Sequence, residues 1–327
     1  MASGTTLAGG ARRMGERGPV VSRLGYGAME LAGPPLARAL DERDVVRFLN
    51  EVIDRGITYV DTSIDYGLSE TLIGKALAHR RGDFTLASKC ACQVGAEPGG
   101  HGGEKHIYTG ENVRAGIAQS LRRLRTDHLD VVQVHGDPTR QELEDGGVID
   151  ALLDLQRQGA VRQLGISSRL PKLAEFVDAD YFTLVQVPYS ALQRQNEEVV
   201  AALKRAGKSI VARGVTGRGA PAKNWATRPI GTADGQVRTL WQKAGLDELL
   251  GDMAPIEFMI RFAMANDDVD VCLVATTDAA HLAADIDYAA KGPLDVELYQ
   301  AACRRLAAAG GGPGQGEYRR GGPTPVL

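Results

Sequence analysis

The 327-residue chain carries little of what marks the specialised protein classes. Four cysteines are too few for a disulfide framework at this length, which fits a reducing compartment. No apolar run approaches the ~20 residues that cross a bilayer. The first 18 residues hold no apolar core of a secretory signal. Neither sign of charge dominates: 38 basic against 41 acidic residues leave a net charge of −3. Nothing in that balance attracts nucleic acid or an anionic membrane. These absences exclude fibrous, membrane-spanning and disulfide-scaffold classes and point to the cytoplasm. What is present is ordinary for a chain that buries a large core: 43% apolar and 24% charged residues.

Three stretches are weakly patterned. Residues 1–11 are mostly small, residues 307–327 include Gly310 to Gly314 around one proline, and Gly95 to Gly103 is glycine-rich. The two ends are expected to be flexible. No long linker divides the rest, so 12–306 reads as one domain. Within it a pattern recurs: a helical segment, a glycine, an apolar run, then a polar residue. Glu51–Arg55, Gly56, Ile57–Val60, Asp61 is one copy; Leu152–Gln158, Gly159, Val161–Ile166, Ser167 is another; Ala201–Ala206, Gly207, Ser209–Ala212, Arg213 is a third. The glycine suits a left-handed helix C-cap. The apolar run suits a strand buried on both faces. With Leu24–Gly27, Phe84–Ser88, Leu129–Val134, Leu184–Val187 and Val269–Val274 there are eight strand candidates. Alternating strands and helices mean a parallel sheet with right-handed crossovers. Eight units close as a (β/α)8 TIM barrel; an open doubly wound sheet is the competitor. Residues 12–21, with turn material at Gly15 and Gly18-Pro19, read as a short hairpin before the first barrel strand.

In such a barrel the site lies at the C-terminal strand ends. The polar residues there are Asp61, Lys89, His135, Ser167, Ser168, Gln186, Arg213 and Thr276–Asp278, with Tyr66 five residues beyond Asp61. A tyrosine titrating near pH 10 is a poor acid, but a neighbouring lysine favours its phenolate and lowers that pKa. A carboxylate fixes the lysine, and a histidine polarises a carbonyl. Such a set protonates an oxygen that is gaining negative charge, as when a hydride reaches a carbonyl carbon. The protein has no hydride of its own, so a nicotinamide cofactor is implied.

Five segments in order resemble the aldo-keto reductase family, from about Arg12 to Leu306. They are Asp61-Thr62-Ser63-Ile64-Asp65-Tyr66-Gly67 with Ser69-Glu70; Ala87-Ser88-Lys89; Ser120–Leu124 with Leu129-Asp130; Gln133-Val134-His135; and Gly159–Ser167. The resemblance implies a catalytic tetrad of Asp61, Tyr66, Lys89 and His135, with Tyr66 as general acid in NAD(P)H-dependent reduction of an aldehyde or ketone, or the reverse. It implies that Asp61, Ser167 and Gln186 border the nicotinamide. Ser168 stands where the family often has asparagine, and Met29 falls at a cofactor contact near the first strand. Arg213, Gly214 and Gly217 match the nicotinamide and pyrophosphate region, with Arg213 where an aromatic usually stacks. Thr276, Thr277, His281 and Asp285 fall at the adenosine end. NADPH is the family default, and NADH stays open because no arginine or lysine lies between Ala275 and Asp285. Two other functions stay open: a cofactor-binding regulatory subunit with vestigial turnover, resembling the potassium-channel β subunits, and a non-redox acid–base enzyme on the same residues.

Other motifs carry less. Cys90, Cys92, His101 and His106 have metal-ligating side chains, but a Cys-x-Cys spacing is tighter than usual for zinc, and no metal is expected. Gly207-Lys208-Ser209 lacks a P-loop's first glycine, since Ala202 stands there, and a strand follows it. Gly25-x-Gly27 has Glu30 in place of a third glycine, so it is no dinucleotide fingerprint. Lys223, Trp225 and Trp241 are candidate pocket residues, and the 93–108 and 218–236 loops are expected to shape the substrate pocket.

Overall fold

The computed structural model describes residues 6–15, 18–34, 36–94, 106–219 and 239–314, except the side chain of residue 218. His101, Lys223 and Trp225 fall outside them, with most of the two long loops. The chain opens with β1 (Ala11–Arg13) and β2 (Val20–Ser22), an antiparallel pair in the register Ala11 to Ser22. It continues with β3 (Leu24–Gly27), α1 (Glu42–Asp54), β4 (Tyr59–Asp61), α2 (Ser69–Leu77), β5 (Thr85–Cys90), α3 (Gly110–Leu124) and β6 (Leu129–His135). Then come α4 (Arg140–Asp145), α5 (Val148–Arg157), β7 (Val161–Ser167), β8 (Leu184–Pro188), α6 (Glu197–Arg205) and β9 (Ser209–Arg213). The last elements are α7 (Pro255–Met264), β10 (Val271–Val274), α8 (Ala279–Ala290) and α9 (Val296–Ala308). The strands β3 to β10 form a closed barrel, and β10 pairs with β3 in parallel to seal it. This is the expected (β/α)8 barrel, and the expected hairpin precedes it. Among the described residues no helix is long and apolar enough to cross a membrane.

Two cores explain the closure. Inside the barrel, Tyr59, Ala87, Val131, Leu184, Val211, Val271 and Leu273 pack together, joined by Met14 and Val21 from the hairpin. The hairpin therefore plugs the lower end. Outside, the strands' other faces meet the apolar stripes of the helices. On α1 that stripe is Val45, Phe48, Leu49, Val52 and Ile53, recurring at helical spacing. Asp41 caps this helix, accepting from the backbone N–H groups of Arg43 and Asp44.

The ends of the barrel domain differ from the expected boundaries. Ala8, in the segment read as flexible, is 4% exposed. Its N–H reaches the Gly56 carbonyl at 3.0 Å, and its carbonyl accepts from Leu24 at 3.1 Å. At the other end α9 runs to Ala308, and Gly311 N–H bonds the Leu306 carbonyl at 2.8 Å. Small residues are weakly patterned in sequence yet fit where backbone must pass close to a strand. Trp241, read as a pocket candidate, is a core residue instead. It packs edge-on to Phe258, and its indole N–H bonds Asp247 at 2.9 Å.

Candidate active site

Asp61 ends β4, and its carboxylate sits inside the barrel mouth, 3% exposed. Its Oδ2 accepts from Lys89 Nζ at 2.6 Å, and its Oδ1 accepts from Gln133 at 2.9 Å and Gln186 at 2.8 Å. Strands β4, β5, β6 and β8 thus converge on one carboxylate. Lys89 is as buried, and it also donates to the Thr62 carbonyl at 2.8 Å. Burial alone would lower its pKa, but Asp61 and its neighbours reverse that and push it up to about 12. The ammonium lies 4.8 Å from the centre of the Tyr66 ring. His135, ending β6, stands edge-on to Tyr66 with 6.4 Å between ring centres. The structure therefore brings all four tetrad candidates together.

One electrostatic expectation is reversed. Burial raises the pKa of Tyr66, and the lowering pull of Lys89 does not overcome it. A partly buried phenol packed into the barrel mouth loses more hydration as an anion than one cation returns.

The sequence motif around Tyr66 divides into chemistry and scaffolding. Ser69 shares a 2.8 Å hydrogen bond with Thr62 and donates to the Ala28 carbonyl at 2.9 Å. Glu70 accepts from Ser88 at 2.7 Å and faces Arg123 at 3.5 Å. Arg123 also holds the Ile64 carbonyl, two residues before Tyr66, at 3.1 Å. These groups fix the loop that carries Tyr66.

Asp65 was missed by the sequence reading, although it precedes Tyr66 in the quoted motif. It is buried, bonded to Ser63 Oγ, with Oδ2 3.4 Å from His135 Nδ1. Burial opposes its ionisation, but His135 and the Ser63 hydroxyl hold its carboxyl well below the usual range. Cys92 Sγ lies 3.3 Å from the same nitrogen. Its proximity had no sequence signal, because it depends on a chain reversal at Ala91. Cys90, by contrast, packs into the helix-side core, so the set of Cys90, Cys92, His101 and His106 is not assembled among the described residues.

The candidate cofactor residues occupy the other side of the mouth. Ser167 Oγ donates to Gln186 Oε1 at 3.0 Å across β7 and β8. Ser168, next to it, donates to Asp137 at 3.0 Å. Arg213 is half-buried at the end of β9, and Gly214 and Gly217 take left-handed φ of 71° and 58° in the turn after it. Met29 is 42% exposed beside β3. Thr276 and Thr277 precede α8, His281 is exposed on its first turn, and Asp285 is buried one turn on. Burial pushes the Asp285 carboxyl up to about 7. No arginine or lysine lies between Ala275 and Asp285, but Arg38, in the loop before α1, donates to Thr277 Oγ1 at 2.8 Å. Arg38 and Thr277 share a cleft of about 260 Å³ with Leu31, Leu40 and Phe48. The hydroxyls, amides and guanidinium along this arc form a donor and acceptor set that fits a nucleotide.

Comparison with known proteins places the fold in a family. The model of the Aldo/keto reductase family matches residues 23–302. An uncharacterised oxidoreductase of Bacillus subtilis, YqkF, is 30% identical over 213 residues, 64% of this chain and 65% of that protein. Pyridoxine 4-dehydrogenase of Escherichia coli is 30% identical over 202 residues, 58% of this chain and 68% of that protein. The holo form of aldo-keto reductase AKR11C1 from Bacillus halodurans superposes with a TM-score of 0.76 at 28% identity, over 90% of this chain and 95% of that one. The chain, an oxidoreductase by this kinship, belongs to the aldo/keto reductase family.

Proposed function

We propose that this chain is an NAD(P)H-dependent carbonyl reductase, turning an aldehyde or ketone into an alcohol or running the reverse oxidation, with Tyr66 as general acid. The observation that carries the reading is Lys89, buried between the Asp61 carboxylate and the face of the Tyr66 ring. A phenol held above its ordinary pKa by burial keeps its proton at neutral pH and so has one to give. The lysine cation stabilises the phenolate that remains. Asp61 holds that cation charged and in place. His135, anchored through Nδ1 near Asp65, has its second ring nitrogen left to hydrogen-bond the carbonyl oxygen. When bound, a nicotinamide supplies or accepts the hydride.

Asp61, Ser167, Ser168, Gln186, Arg213, Gly214, Gly217 and Met29 would border the nicotinamide and pyrophosphate. Thr276, Thr277, His281 and Asp285 would border the adenosine. We take NADPH as the preferred form because Arg38 places a guanidinium beside Thr277. The substrate is a small carbonyl compound or alcohol, and the working compartment is the cytoplasm.

The test is a titration with NADPH and with NADH, followed by tryptophan quenching, and then a carbonyl screen at 340 nm on wild type and Tyr66→Phe. Saturable binding is expected in both proteins, with turnover in the variant lower by about 10²–10⁴-fold. Full activity in the variant would overturn the general-acid role. Tight binding without turnover by wild type would favour a regulatory subunit. Product formed without nucleotide consumption would favour non-redox chemistry.

A further inference from the structure

We propose that Asp65, Cys92, His106 and His135 form a binding site for one tetrahedral divalent ion of zinc type, behind the candidate catalytic histidine. One ligating atom from each of the four lies within 4.8 Å of those of the other three. His135 Nδ1 is 3.3 Å from Cys92 Sγ and 3.4 Å from Asp65 Oδ2. Zinc bonds of 2.0–2.3 Å at tetrahedral angles put ligand atoms about 3.3–3.6 Å apart. Two of the separations already match, and the longest closes with a shift of about 1 Å or slightly more.

The backbone assembles this quartet from three separate connections. Cys92 and His106 are partners in an isolated antiparallel bridge, which sets them opposite each other. Ile107 N–H bonds the Ala91 carbonyl at 2.7 Å, and Asn112 Nδ2 donates to the carbonyls of Cys92 at 3.0 Å and Ile107 at 3.1 Å. Ala91 adopts a φ of 69°, a left-handed conformation that a residue with a Cβ rarely takes. Regular strand alternation would put Cys92 on the face of Cys90; the reversal at Ala91 turns it toward His135 instead. Gly136 makes room on the other side. A Cβ there would lie 3.0 Å from His106 Nδ1 and 2.5 Å from the Tyr108 hydroxyl. The Ser63 hydroxyl bonded to Asp65 supplies the outer support that ligating carboxylates usually have.

The donor set selects the ion. A thiolate with two imidazoles and one carboxylate suits zinc or cobalt, not calcium or magnesium, which take oxygen ligands. Binding displaces the Cys92 proton to solvent. An ion on His135 Nδ1 leaves the remaining ring proton on Nε2. The histidine would then keep a donor for an oxygen in the barrel mouth. The site goes beyond the proposed reductase activity, and its test does not depend on turnover.

The experiment is a Co²⁺ titration of the full-length protein without nucleotide, read by absorbance and competed with Zn²⁺. One equivalent is expected, with a near-ultraviolet thiolate-to-cobalt band and the strong visible bands of four-coordinate cobalt. Cys92→Ser should lose the near-ultraviolet band. His106→Gln, at a half-buried position, should weaken Zn²⁺ binding by at least about 100-fold, more than loss of an outer-shell partner typically does. Thermal melts of both variants show whether they fold, and either one suffices for the test. No stoichiometric binding, a band that survives in Cys92→Ser, or unchanged affinity in His106→Gln would each overturn the proposal. Nucleotide affinity measured on the same samples keeps failure of the reductase reading separate from failure of this one.

Discussion

The two ends of the barrel hold buried carboxylates in opposite ways. At the lower end Asp130, near the start of β6, accepts the Leu86 backbone N–H at 2.9 Å, Arg81 at 2.6 Å and Arg162 at 2.8 Å. Asp270, just before β10, repeats the device with Ile210 N–H at 2.8 Å and Lys204 at 2.6 Å. Each joins a neighbouring strand's backbone to cations outside the barrel. At the upper end Asp61, among the described residues, takes side-chain donors alone, and all of them reach it inside the mouth. An acid–base pair at the bottom is saturated by the fold itself. The pair at the top shares its cation with a phenol, a group whose charge changes during a proton transfer. The ion pairs are chemically alike, and the third partner sets their use. Lower-face groups of such barrels serve stability, and upper-face groups serve catalysis.

The sharpest way to break this comparison is at Asp130. Asp130→Ala leaves the Leu86 backbone N–H without its acceptor and takes the carboxylate from Arg81, which keeps only Thr126 and the Phe84 and His128 carbonyls, and should cost about 2–4 kcal/mol of unfolding free energy in a denaturant titration. Its kcat/KM, measured well below the melting temperature, should stay within about twofold of wild type. Tyr66→Phe should show the reverse. Parallel loss of stability and activity in both would dissolve the distinction between the two ends.

Asp285 sharpens the same point with a smaller effect, because no cation among the described residues offsets its burial. With the folded carboxyl up at about 7 and the unfolded one near 4, the folded chain keeps a proton that the unfolded chain releases. Its stabilising contribution is therefore full below pH 4 and declines as pH rises through 7. Asp285→Asn should leave stability at pH 4 unchanged and raise it at pH 8 by about 1–3 kcal/mol, under the ceiling of about 4 that the shift allows. An equal gain at both pH values would show that the carboxyl's ionisation is not the cause.

The barrel was legible because buried parallel strands read as apolar runs, and glycine-ended helices punctuate them at regular intervals. The clustering of the tetrad candidates was legible for a related reason: Asp61, Lys89 and His135 each sit where an apolar run ends. Asp130 lay in a recognised segment, but its place at the bottom is a matter of register, which spacing alone does not reveal. Groups that come together only in three dimensions were not legible. Cys92 needs the left-handed turn at Ala91, and His106 needs the bridge across a glycine-rich loop. Tyr66 illustrates a different limit. Its neighbours were named correctly, but the net direction of its pKa depends on how dry the site is, and that is a property of packing.

Arg38 carries the smallest expected effect, and it tests whether the rim's exposed cations behave like its buried ones. The guanidinium is not locked by a buried carboxylate, so its pairing with any anion is screened by water and salt. A single exposed charge-assisted contact to a 2′-phosphate is worth about 1.4 kcal/mol, or tenfold in affinity. Arg38→Ala should therefore weaken NADPH binding by about tenfold at low salt and less at 0.5 M salt. NADH, which has no 2′-phosphate, should bind within about twofold of its wild-type affinity. Equal weakening of both nucleotides would instead assign Arg38 to holding Thr277 and the start of α8, making it a bracing group like the cations at the bottom of the barrel.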